Sequence, residues 1–135
     1  MHAATQTAPL SLAGLWTARA FYTLTVLFLI FDGVTKIIGI VPVVDAFQRL
    51  GIPVHLAPGI GIVVLACTAV YAVPRTAVLG AILLTGLYGG AIAIHVRAGS
   101  PFFDTYIFPA MMSAFTWVPV FLREPRLRLL LPLRT

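Results

Sequence analysis

Apolar residues dominate a first run from about Arg19 to Ile40, which gives way to a turn-rich stretch holding Pro42, Gly51 and Pro53. A second run, about Pro58 to Val73, stops at Pro74-Arg75, and a third, about Thr76 to Arg97, stops at Ala98-Gly99-Ser100-Pro101. A fourth covers about Thr105 to Leu122. A helix crossing a bilayer needs about 20 mostly apolar residues, so four spans with short connections use nearly all of the 135 residues. The expected fold is all-α: one domain over residues 1–135, an integral membrane four-helix bundle.

The first run is too long for a secretory signal core and no small-residue cleavage pattern follows it, so it is expected to stay as a span. Both ends of the chain then share a side, where Arg19, Arg75, Arg123, Arg126, Arg128 and Arg134 collect, against Lys36, Arg49 and Arg97 opposite. Basic residues gather on the cytoplasmic side, so a multi-pass cell-membrane protein with both termini cytoplasmic is expected. The tail from Arg123, REPRLRLLLPLRT, reads as an anchor on that leaflet.

Composition agrees: 60% of residues are hydrophobic and 10% charged, too little polar surface to cover a water-soluble fold. A formal charge of +5 would suit nucleic acid, but the basic residues are spread over span ends and tail, so the lipid bilayer is the expected partner and nucleic acid is not. The single cysteine, Cys67, excludes an intrachain disulfide or dithiol couple and reads as an inert buried residue.

A helix turns about 100° per residue, so Tyr22, Thr25, Asp32 and Lys36 fall on one stripe of the first span. Thr85, Tyr88 and His95 share a face of the third, beside Gly86, Gly89 and Gly90. Thr68 and Tyr71 cluster with Gly61 on the second, and Tyr106, Ser113, Thr116 and Trp117 line up around Pro109 on the fourth. Hydrocarbon offers these groups no partner, so the stripes are expected to turn inward and form a partly polar interior. The Gly86-x-x-x-Gly90 spacing is expected to serve internal packing, with a dimer contact as the alternative. Trp16, Tyr22, Tyr71 and Trp117, near span ends, read as interfacial aromatics.

Asp32, Lys36, His95 and Arg97 all fall in the half of the membrane away from the termini. At about 1.5 Å per residue Asp32 and His95 differ in depth by about 10 Å, and Lys36 bridges the gap. Asp32 and Lys36, four residues apart, can form a salt bridge that offsets part of the cost of burying charge and would also pin the first span against the third. His95 is the only histidine within a span, whereas metals need several ligands, so no intrinsic metal site is expected; no haem motif or flavin fingerprint occurs either.

The segments FDGVTK (from Phe31), LGIP (from Leu50), VPRTAVLGAILLTG (from Val73), GGAIAIHVRAGSPFF (from Gly89) and LREPRLRLLLPLR (from Leu122) resemble the DoxX-like membrane proteins over nearly the whole chain. The resemblance implies a four-helix membrane bundle and, because the family takes its name from a subunit of a thiosulfate:quinone oxidoreductase, a quinone as the cofactor. The Leu87-Tyr88 order departs from the tyrosine-first order usual there, which moves the ring by about 100°.

Three functions follow as expectations. One is a quinone-linked redox membrane subunit in which Lys36, His95 or Tyr88 binds the quinone head, Thr85 and Arg97 line the pocket, Asp32 relays protons, and a partner protein brings the electrons. The second is a cofactor-free isomerase, hydratase or cyclase acting on a lipophilic small molecule with Asp32 and His95 as acid and base. The third is a non-enzymatic binding or assembly protein, alone or as a homo-oligomer, whose polar groups set helix register.

Overall fold

The computed structural model describes residues 9–130, with side chains other than those of 128 and 129. The described chain is helical: α1 (Leu12–Ile38), α2 (Val41–Arg49), a 3₁₀ turn (Val54–Leu56) running into α3 (Ala57–Ala72), α4 (Ala77–Ala98), a π turn (Phe103–Ile107) running into α5 (Phe108–Arg123), and α6 (Pro125–Leu130). Four of these stretches are long and apolar enough to cross a membrane: α1, α3 with its turn, α4, and α5 with its turn. The molecule is a multi-pass helical membrane bundle. Arg134 and the Arg128 side chain, two of the residues from which the topology was read, lie outside the described residues.

Local chemistry sets the ends. Ser11 caps α1 by accepting the Gly14 N–H at 3.1 Å, and the helix stops where Gly39 adopts φ 71°, a left-handed conformation that suits a residue without Cβ. Gly99, φ 66°, ends α4 in the same way, and the Ser100 N–H reaches back to the His95 carbonyl at 3.0 Å. The segment after α1 is more ordered than its turn residues suggest: α2 forms because Pro42 sits at its first turn, where a missing N–H costs nothing. Val44 and Phe47 lie on one of its faces and Asp45 and Gln48 on another, and Phe47 is buried.

The spans form a ring. α1 packs on α3 and α5, and α4 packs on α3 and α5, so α1 and α4 lie across a diagonal. The expected pinning of the first span against the third is therefore not how the bundle is held. The α1–α3 crossing is set by two glycines: a Cβ on Gly61 would stand 2.6 Å from the Gly33 carbonyl oxygen, and one on Gly33 would stand 2.6 Å from Leu65. Gly80 brings α4 equally close to α3, where a Cβ would lie 2.3 Å from the Tyr71 Cα. Leu29, Val64, Cys67, Tyr71, Leu84 and Val120 fill the core between these contacts.

The expectation for Gly86 and Gly90 is corrected, since among the described residues a Cβ at either would meet no atom of another helix within 4 Å. The close approaches use glycines on other helices, and α4 turns its Gly86-x-x-x-Gly90 edge outward. Gly61→Ala should therefore destabilise the protein by about 1–3 kcal/mol through backbone overlap at Gly33. Gly86→Ala should be neutral or stabilising by up to about 1 kcal/mol. Thermal unfolding in detergent micelles, tracked by circular dichroism, compares the two.

A hydroxyl cluster and an unpartnered imidazole

Proline on α5 creates a demand that Thr25 of α1 meets. Pro119 lacks an N–H, so the Phe115 carbonyl one turn earlier loses its helical partner. The Thr25 hydroxyl on α1 shares its one proton between that carbonyl, at 3.1 Å, and its own Phe21 carbonyl, at 2.8 Å. On the next residue, Tyr71 of α3 donates to the Thr116 carbonyl at 2.9 Å. Thr116 gives its hydroxyl proton to Met112 at 2.8 Å, so Tyr88 of α4 is the donor in its 3.0 Å contact with the Thr116 oxygen. Thr25, Tyr71 and Thr116 are almost completely buried. One turn of α5 thus ties all three other spans.

Tyr71 is not an interfacial aromatic, as its place near a span end suggested; it is 0% exposed because α4 approaches over Gly80. Trp16 is 62% exposed and carries Arg19 over its ring at 5.6 Å. Tyr22 donates to the Ala72 and Tyr71 carbonyls, closing the end of α3. Tyr106 departs from the expected stripe: it is exposed and rests on Phe102, since the intervening π turn breaks the 100° step that would have aligned it with Ser113 and Thr116.

The candidate site residues divide. Lys36 and Asp32 form the salt bridge expected of an i,i+4 pair, and both are only partly buried. Gly61 meets α1 between Gly33 and Ile37, and Tyr71, ten residues on, meets α4 at Gly80, so Asp32 and Tyr88 stand at a similar level, with Lys36 about 6 Å and His95 about 10 Å further from the terminal end. His95 is half-buried, and its Nδ1 is buried without a hydrogen-bond partner among the described residues. Such an atom is costly to leave unpaired, by about 1–3 kcal/mol.

Thr85 and Arg97 have other work. The exposed Thr85 gives its proton to Ala81 and accepts Trp117 Nε1–H at 2.8 Å, joining α4 to α5 on the outside of the bundle. Arg97 is exposed and donates to the Leu50 carbonyl at 3.2 Å, holding the α2–α3 connection over the end of α4. Sequence reasoning missed Tyr71 and Thr116 as a structural pair, which no local signal marks, and Thr25 as the partner of Phe115, which Pro119 marks by freeing that one carbonyl.

A double-mutant cycle tests the cluster. Thr116→Val strands the Tyr88 hydroxyl and should cost about 1–3 kcal/mol. Tyr88→Phe should cost much less in the Thr116→Val background than alone, a coupling read by thermal unfolding.

Comparison with known proteins places this architecture. The model of the DoxX-like family matches residues 20–119. No curated protein and no solved structure matches the chain.

Proposed function

The chain belongs to the DoxX-like family, and from that premise we propose that it is the membrane subunit of a quinone-linked redox system in the cell membrane. Both termini face the cytoplasm in this reading, and the quinone head binds in the opposite half of the bundle. The observation that carries it is the buried, unpartnered Nδ1 of His95, in the same half as the Asp32–Lys36 pair.

A quinone fits these groups. Its head is flat, apolar and edged by carbonyl acceptors; His95 with its proton on Nδ1 offers one donor, and Lys36 keeps N–H donors beyond the one given to Asp32. When bound, the quinone supplies two-electron, two-proton redox chemistry, with electrons delivered by a partner protein. The chain's own residues then have separate tasks. His95 and Lys36 orient the head; Asp32, held by Lys36, keeps a carboxylate at which a proton can be taken up and released. Tyr88, anchored on Thr116, closes the site toward the terminal end, Arg97 holds the α2–α3 connection over the end of α4 beside it, and Thr85, bonded to Trp117 on the outside of the bundle, supports α4 without lining the site.

A second reading, a non-enzymatic assembly protein, is favoured by one observation: Asp32 and Lys36 satisfy each other on a single helix without a ligand. The two readings differ in what His95 does to stability. Purified protein given a short-tailed benzoquinone should gain about 2.7 kcal/mol at a ligand concentration 100 times Kd. His95→Phe should abolish that gain while leaving the unliganded melting temperature unchanged or higher, because it removes an unpaired buried atom. No stabilisation of the unmutated protein, or a His95→Phe variant that melts lower with or without quinone, supports the assembly reading.

A further inference from the structure

Toward the terminal end of the bundle lies a cleft of about 240 Å³ bounded by Tyr22 of α1, the α3–α4 connection at Pro74, the first turn of α4 and the end of α5. Pro74, Val78 and Val120 give it an apolar wall, and Tyr22, Arg123 and Glu124 give it a polar mouth. The Arg123 guanidinium is positioned by the Tyr22 ring, 5.3 Å from its centroid. Among the described residues Lys36–Asp32 is the one salt bridge, so Arg123 pairs with no carboxylate there and keeps its forked donors for another group.

The opposite side of the cleft is also electropositive. It is formed by Ala77 and Val78, the first turn of α4. That 22-residue helix has no side-chain cap: Thr76 gives its hydroxyl to the Val70 carbonyl at 2.7 Å instead. The first amides of α4 thus offer unmet donors and the positive end of the helix dipole to the same cleft that Arg123 enters. The one Tyr22 hydroxyl proton goes to the carbonyl end of α3, to Ala72 at 2.6 Å with Tyr71 at 3.1 Å. Glu124 is the remaining charged group, an acceptor whose Oε1 receives the Arg126 N–H only at 3.4 Å.

We propose that this cleft binds an anionic phospholipid of the phosphatidylglycerol class from the leaflet at the Arg123 end of the bundle. The phosphate lies between Arg123 and the start of α4, the head-group hydroxyls donate to Glu124, and an acyl chain follows the Val78–Val120 wall. A free phosphate lacks the part that uses the wall, phosphatidylcholine lacks the hydroxyls and the net charge, and phosphatidic acid lacks the head-group donors. This site is independent of the quinone reading and lies at the other end of the bundle.

Native mass spectrometry of the full chain in detergent, with phosphatidylglycerol, phosphatidic acid, phosphatidylcholine and inorganic phosphate as probes, tests the assignment. On the unmutated protein, phosphatidylglycerol should be retained at least about tenfold more than phosphatidylcholine, one such ligand-sized difference being 1.4 kcal/mol. Inorganic phosphate should neither bind nor compete at equal concentration. Arg123→Gln should remove the preference and Arg126→Gln, one turn into the tail, should leave it. Glu124→Gln should bring phosphatidylglycerol down to the level of phosphatidic acid. Equal retention of phosphatidylglycerol and phosphatidylcholine by the unmutated protein overturns the proposal without recourse to any variant. Competition by inorganic phosphate, or equal loss in Arg126→Gln and Arg123→Gln, overturns it as well, pointing to a plain anion site or to diffuse attraction by the tail.

Discussion

A proline within a helix that crosses hydrocarbon leaves a carbonyl that no water can reach, and this bundle is organised around paying that debt at Pro119. The Phe115 carbonyl that it frees accepts from Thr25 on α1; one residue on, the Thr116 carbonyl also accepts from Tyr71 on α3 and the Thr116 hydroxyl receives Tyr88 of α4. These bonds do more than offset desolvation. They fix the rotation of each span about its own axis, which apolar packing specifies poorly where lipid is as hydrophobic as the core. The glycine contacts at Gly33–Gly61 and Gly80–Tyr71 then fix how closely the axes approach.

The rotation of α4 has consequences at both ends. With Tyr88 held inward on Thr116, the residue two turns on, His95, is carried to the interior side and its Nδ1 is buried. The same rotation leaves Gly86 and Gly90 facing out. At the start of the helix it brings the uncapped first turn against Arg123. One half of the bundle therefore gathers an ion pair and an imidazole and the other an arginine and free amides, with a fully bonded hydroxyl layer between. The polar groups in the middle hold the structure, and those toward the ends are the ones with capacity to spare.

Much of the fold is legible in the sequence because membrane helices announce themselves by length and hydropathy: Pro74, Pro53 and the Gly99 stop all mark real boundaries. The inward stripe of α1 is legible for the same reason, and Thr25, Asp32 and Lys36 follow it. Neighbour relations are not. Periodicity says which face is polar but not which helix it meets, so the adjacency of α1 with α3 and α5 emerges only from packing. The glycines mislead for a related reason: the Gly86-x-x-x-Gly90 spacing lies on one helix, whereas the Gly33–Gly61 contact joins residues from two helices and has no local signature. Tyr106 escapes because a π turn is a change of phase that a fixed 100° step cannot anticipate. Thr85 and Arg97 carry the right chemistry for a pocket, yet their bonds to Trp117 and Leu50 depend on side-chain reach between helices.

The polar stripe of α1 turns toward the bundle interior at the level of Tyr88, so that Asp32, tied to Lys36, faces that interior rather than acyl chains. Solid-state NMR of the labelled protein in phospholipid bilayers measures this directly through contacts of the Asp32 carboxyl carbon. The account predicts a cross-peak to the Tyr88 ring and none to lipid acyl chains. A carboxyl carbon in contact with acyl chains, with no Tyr88 cross-peak, would contradict it.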